Sequence, residues 1–260
     1  NESADGITQE ISYSEPQTIT VFPFSGAGVE GDPFLIGSLE DLAWFASYTE
    51  LHDKHFELTA PIDASETEFW DWSDDDGDGN RFNDPNDATD AGDNLGWRPI
   101  PEFTGVFDGN FYGIKHLDIS PSGTDYDKNM HYAMFEELDG EAMVKRLDLI
   151  DINVRVTGNG SNTYYVASIA GEMNGGQIRE SRVTGFIFGE DEVGGIVGKL
   201  GSNARIWSVT NKATVRSRTY GLGGIAHSSS GSIDRTNFIG ALFSDLYRVY
   251  NSGDIVAEIF

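Results

Sequence analysis

The chain has 260 residues, no cysteine, and 43 acidic against 17 basic side chains, for a net charge of −26. Disulfides are therefore excluded, and phosphate backbones and anionic membranes become repulsive surfaces, which sets nucleic acid aside as a partner. No apolar run approaches the roughly 18 residues of a membrane-spanning helix, while 31 glycines and 12% aromatic residues describe a folding chain with many tight turns.

The first residue is Asn1, with no leader sequence after it, so the chain is expected to be a processed product or one piece of a larger polypeptide. Residues 1–30 alternate weakly, as in Ile7 to Tyr13 and Thr18 to Phe22, and read as lead-in strands. Residues 31–70 read as a cap. Asp32 to Ile36 is a short strand after a turn, and Ser38 with Asp41 forms a capping-box pattern. Leu39, Leu42, Phe45, Ala46 and Tyr48 then follow at helical spacing, predicting a helix over 38–52. An amphipathic helix in this position suits the apolar end and open strand edges that a stacked repeat exposes. His55 to Asp63 reads as another strand.

Residues 71–94 interrupt this pattern with nine aspartates and one cation, Arg81. Within them, Asp74-Asp75-Asp76-Gly77-Asp78-Gly79-Asn80 places carboxylates at the first, third and fifth positions of a loop, glycine at the sixth and a backbone carbonyl at the seventh. That is the hard-oxygen pattern of a calcium loop. The twelfth position is Pro85, so Asp84 or Asp87 would close the coordination shell. Asp74, Asp76, Asp78, Asn80, Asp84 and Asp87 are the expected Ca2+ ligands, since a divalent ion offsets the mutual repulsion of such dense charge. Trp70, Trp72, Phe82 and Trp97 flank or lie within the insertion and are candidate ligand-binding aromatics; the alternative is that they pack the insertion onto the neighbouring coils.

From Trp97 onward the chain repeats. Val166-Ala167-Ser168-Ile169-Ala170-Gly171, Val193-Gly194-Gly195-Ile196-Val197-Gly198 and Leu222-Gly223-Gly224-Ile225-Ala226-His227 begin 27 and 29 residues apart, a period that signals a solenoid. Period-two sets, with glycine expected at the corners, make the segments strands: Ile114, Leu117 and Ile119; Val144, Leu147, Leu149, Ile152 and Val154; Ile178, Val183 and Ile187; Ile206, Val209 and Val215; Ile233, Phe238 and Leu242. The expected fold is all-β, a single-domain β-solenoid (β-helix) spanning 1–260, with repeat coils over 97–260. About 5 to 6 coils at ~4.8 Å each would give a short stack.

These glycine-rich units resemble the GLUG repeat of bacterial surface adhesins and of the non-catalytic regions of surface proteins of the immunoglobulin-A-protease type. The resemblance extends upstream through Gly31 to Ile36, Leu39 to Leu42, Phe56 to Thr59, Trp97 to Ile100 and Phe103 to Asn110, which stand in the order that precedes such repeats. Ala167-Ser168 and His227-Ser228 depart from the glycine pattern, and the tail from Phe243 fits a further coil only loosely. The resemblance implies an extracellular solenoid carrying no conserved catalytic set.

The residues themselves point the same way. There is no G-x-S-x-G elbow and no thiol nucleophile. The five histidines show no zinc spacing and read as surface residues. Glu136 with Glu137, and Glu190 with Asp191 and Glu192, are adjacent acids, but adjacency does not set the separation across a cleft that glycoside hydrolysis requires. The expected protein is a calcium-stabilised adhesion or ligand-binding module of a bacterial cell-surface protein, monomeric, recognising a glycan or protein on another surface, and not an enzyme. A β-helix polysaccharide lyase or glycosidase is the alternative, with a non-binding spacer as a third reading.

Overall fold

The structure, a computed structural model, describes residues 24–70, 95–123, 130–158, 164–190, 192–218 and 221–244. Over these residues the chain winds through a succession of short strands that stack coil on coil, and every ladder between the named strands is parallel. Three faces result. One has seven strands: Phe34–Ile36, His55–Leu58, Val106–Asp108, Met143–Lys145, Gln177–Arg179, Arg205–Trp207 and Ser232–Asp234. A second runs from Ile62–Asp63 through Gly113–Lys115, Asp148–Arg155 and Arg182–Gly189 to Asn237–Phe238. The third stacks Phe135–Leu138, Ala170–Met173, Val197–Leu200 and Ala226–Ser229.

The fold is thus the β-solenoid that the period implied, with about four turns contributing to all three faces among the described residues. The expected 5 to 6 falls short for a local reason. In the coil before the first full turn, the third face is reduced to two parallel bridges, Ile100 to Phe135 and Phe103 to Leu138. The repeat units align as their spacing demands, with Val166 bridged to Val193 and Val193 paired with Leu222.

The inward side chains form continuous columns, because a parallel register puts equivalent residues directly over one another. On the seven-stranded face the column is Phe34, Phe56, Phe107, Val144, Ile178, Ile206 and Ile233. It is buried down to Ile206 and half-buried at Ile233. The other predicted inward sets are likewise buried, from Ile114 through Val215 and on to Phe238. The side chain of Leu242 lies outside the described residues.

The N-terminal end is closed by α1, Leu39–Ser47, shorter than the predicted 38–52 because the chain tightens into a 3-10 turn at Thr49–Leu51. The Ser38 hydroxyl accepts the Asp41 N–H at 3.1 Å and the Asp41 carboxylate accepts the Ser38 N–H at 3.1 Å, completing the capping box. Phe45 is the plug. Its ring lies 4.3 Å from that of Phe56 and 5.4 Å from that of Phe107, so the helix docks on the phenylalanine end of the column. Full burial of such a side chain contributes about 1.5–3 kcal/mol.

Two expectations change. His52, read as a surface residue, is buried, and its Nε2 donates to the Phe45 carbonyl at 3.1 Å, satisfying a helix-end acceptor that has no intrahelical partner. Burial pushes its pKa down, against the opposing effect of hydrogen bonds to backbone carbonyls. Glycine also supplies only some of the turns, as at Gly140 and Gly176 with φ of 57° and 75°, and not the corner that follows the later strands of the seven-stranded face. Arg146, Glu180, Ser208 and Arg235, each at the end of a strand on the seven-stranded face, take the left-handed conformation with φ of 52°, 53°, 55° and 49°. The glycines of the repeat instead permit close backbone approach: a Cβ on Gly194 would sit 1.8 Å from the Val197 carbonyl oxygen.

Candidate functional site

The acidic insertion leaves and re-enters the solenoid at one point. The Trp70 carbonyl accepts the N–H of Leu95 at 2.8 Å and that of Gly96 at 3.0 Å, so the two ends of the segment are clamped together. Gly96 takes a φ of +78°, and a side chain there would meet the Asp118 carbonyl oxygen at 2.5 Å. The next residue, Trp97, donates its backbone N–H to that same oxygen at 2.7 Å.

Beneath this clamp sits a buried polar knot. The Asp118 carboxylate accepts from the Ser120 hydroxyl and the Asn153 side-chain amide, while the Asp118 N–H donates to Thr67 Oγ1 at 2.9 Å. Thr67 in turn donates to the Ala64 carbonyl at 2.6 Å. Asp118 is therefore spent on fixing the root and is not available as a ligand.

The aromatics expected to meet a ligand divide. Trp97 is only 1% exposed, and its indole N–H donates to the Met134 carbonyl at 3.1 Å. It belongs to the core and presents no ring face outward. Trp70 is half-buried, with its ring 6.1 Å from that of Trp97, and packs the root onto the coil below. Trp72, Phe82 and the expected metal ligands Asp74, Asp76, Asp78, Asn80, Asp84 and Asp87 lie outside the described residues. Among the described residues no three His, Asp or Glu side chains converge as metal ligands.

The chemistry-bearing cluster that sequence reading missed lies on the four-stranded face. Register places Glu137, Glu172, Lys199 and Ser228 in one outward column. Glu172 accepts from the Lys199 ammonium on one oxygen and from His131 Nε2 at 3.2 Å on the other. His131 Nδ1 accepts the backbone N–H of Tyr165 at 3.1 Å, which leaves the ring proton on Nε2. Tyr165 lies with its ring centroid 4.9 Å from that of His131 and 5.9 Å from the Lys199 ammonium.

The electrostatics of this cluster suit cohesion better than proton transfer. Burial pushes the His131 pKa down, Glu172 pulls it up, and Lys199 lowers it further, leaving it below the ordinary value. Burial, followed by the charges of Glu192 and Glu172 and a hydrogen bond to Glu192, pushes the Tyr165 hydroxyl up to about 12. A base needs a free lone pair and a pKa near the working pH. Both His131 nitrogens are engaged, and Tyr165 is moved the wrong way. The acidic pairs noted in the sequence are similarly occupied: Glu137 accepts from the Asn174 amide, and Glu190 pairs with Arg218 at 3.0 Å. One signal was legible in principle, because Glu172, Lys199 and Ser228 each stand six residues past the start of their repeat unit.

The molecule is thus a capped, three-faced parallel solenoid with an acidic excursion rooted at its N-terminal third. No family model matches the chain. Over 182 residues, 70% of its length, it is 33% identical to halomucin of Haloquadratum walsbyi, and it spans 2% of the length of that protein. Among solved structures, a candidate immunoglobulin A1 protease from Bacteroides ovatus aligns with 90% of this chain and 83% of its own, at 14% identity and a TM-score of 0.44.

Proposed function

We propose that the chain is a binding module of a much larger extracellular surface protein, of the GLUG-repeat adhesin kind, in which a calcium-ordered insertion and the loops around it recognise a glycan or protein. The observation that carries this reading is the clamped root at Trp70, Leu95 and Gly96. A rigid stack that fixes both ends of a long, chemically distinct segment is the arrangement in which repeat proteins present variable loops. The match to a small fraction of a very long relative supports modular use. Asp74, Asp76, Asp78 and Asn80, closed by Asp84 or Asp87, would hold the ion, and its role would be to order backbone rather than to activate water.

Melting of the chain with calcium and with chelator tests the metal. Calcium is expected to raise the Tm, and D74N combined with D78N to abolish the response; an unchanged Tm in the unmodified chain removes calcium from the reading. Glycan and peptide arrays, probed under both conditions, test recognition. A calcium-responsive chain that binds nothing is a spacer, and turnover of an acidic glycan by the isolated chain would establish the polysaccharide-active alternative in place of adhesion.

A further inference from the structure

The outer side of the seven-stranded face holds a shallow, open groove of about 480 Å³ lined by Gln177, Arg179, Arg205, Trp207, Asp234 and Arg235. Register explains the grouping. Gln177, Arg205 and Ser232 share one outward column and Arg179, Trp207 and Asp234 the other, while Ile178, Ile206 and Ile233 between them turn into the core. Arg235 joins from the left-handed corner that follows, with φ 49°.

Three guanidinium groups thus meet one carboxylate, in a chain where acids outnumber cations 43 to 17. That carboxylate is already engaged: Asp234 accepts from Arg205 at 3.0 Å and from the Ser232 hydroxyl at 3.2 Å. Arg179 is half-buried, and its Nε is buried with no hydrogen-bond partner. Arg235 is exposed, and Trp207 is half-buried at the middle of the groove. A buried donor without an acceptor is destabilising unless an incoming group satisfies it.

We propose that this groove binds an anionic saccharide, the acid group being a carboxylate or a sulfate. Planar guanidinium forks match such oxyanions bidentately. The indole supplies an apolar surface with one polar edge, which suits the mixed faces of a sugar ring. An open, shallow shape fits a chain lying across two or three coils better than an enclosed small molecule. This inference deepens the binding-module reading and rests on it.

The test titrates the whole chain with oligogalacturonate, sulfated dextran, neutral dextran and polyglutamate, in calcium. One of the two acidic saccharides is expected to bind at least about tenfold more tightly than neutral dextran and polyglutamate, and which one does so identifies the acid group. R235A and W207A should each weaken that binding by about tenfold or more, whereas K212A, which removes an exposed cation elsewhere, should change it by less than about twofold. W207F keeps an aromatic ring in the groove and guards against loss of fold, which melting of each variant monitors. Equal affinity for polyglutamate, or binding indifferent to R235A and W207A in folded protein, overturns the groove. If a ligand still binds and is lost only when residues 71–94 are replaced, the groove falls and the module reading stands; if the chain binds none of the four, the groove falls, and the module reading falls with it only when the glycan and peptide arrays are also blank.

Discussion

At Gly194 the hydrogen that replaces a side chain faces the Val197 carbonyl oxygen, and a Cβ would lie 1.8 Å from it. No rotamer relieves a clash with backbone, so G194A must open the tight turn that joins Val193–Gly194 to Val197–Leu200 within one coil. Gly31 is the useful contrast, since a Cβ there meets nothing within 4 Å and the only cost is its φ of +86°. G31A is expected to lose about 1–2 kcal/mol, the ordinary penalty of a left-handed alanine. G194A is expected to lose more than about 4 kcal/mol, in the range reserved for severe steric faults. Chemical denaturation of the two variants checks the ordering, and equal losses would contradict the close-approach account. The sequence showed that these glycines recur but not what they are for. Recurrence is visible in one dimension, whereas the identity of the opposing atom depends on how the turn folds back. Arg146, Glu180, Ser208 and Arg235 were illegible for the same reason, since nothing in their side chains announces a positive φ.

Among the elements, the clamp at the insertion root gives the sharpest expectation. The Trp70 carbonyl receives both Leu95 and Gly96, so excising 71–94 leaves ends that a short glycine-serine link can join with no strand displaced. Loop-closure entropy favours the shorter connection, by about 0.6 kcal/mol for each halving of length. The excised chain is expected to keep its far-ultraviolet spectrum and a Tm in chelator within a few degrees of the parent, and to lose any response to calcium. Cooperative unfolding at a much lower temperature would mean that the solenoid depends on the insertion. The capping helix was the most legible element, because Ser38, Asp41 and the apolar spacing from Leu39 to Tyr48 are local signals that the helix obeys. Its early end at Ser47 was not, because His52 reaches back to the Phe45 carbonyl through a packing contact that no local pattern encodes. Trp97 was likewise marked as an aromatic near an unusual loop. Its burial follows from the Met134 carbonyl, 37 residues away, which accepts its indole N–H.

For the molecule as a whole, period and charge are the two dominant facts, and they act at different levels. The 27- and 29-residue spacing sufficed for the parallel stack, but the first full coil is longer, with Phe135 aligned to Ala170, and this slip hid the outward column that joins Glu137 to Glu172. The arginine groove was hidden too, because its members come from three coils and only become neighbours once register is fixed. Charge sets the solution behaviour. With 17 cations available for 43 acids, pairing cannot neutralise the surface, and repulsion among the excess carboxylates opposes the compact state more than the unfolded one. The exposed pairs that salt would weaken, such as Arg205 with Asp234, contribute only about 0–1 kcal/mol each. Raising sodium chloride shortens the screening length from about 10 Å at 0.1 M to about 3 Å at 1 M, so the repulsive term loses most and the Tm should climb across that range in the presence of chelator. The excised chain provides the internal control. It lacks nine aspartates and one arginine, and if self-repulsion drives the effect, its Tm must rise less steeply with salt than that of the parent. Parallel slopes would assign the stabilisation to general salting of apolar surface, and a falling Tm would mean that ion pairs outweigh repulsion.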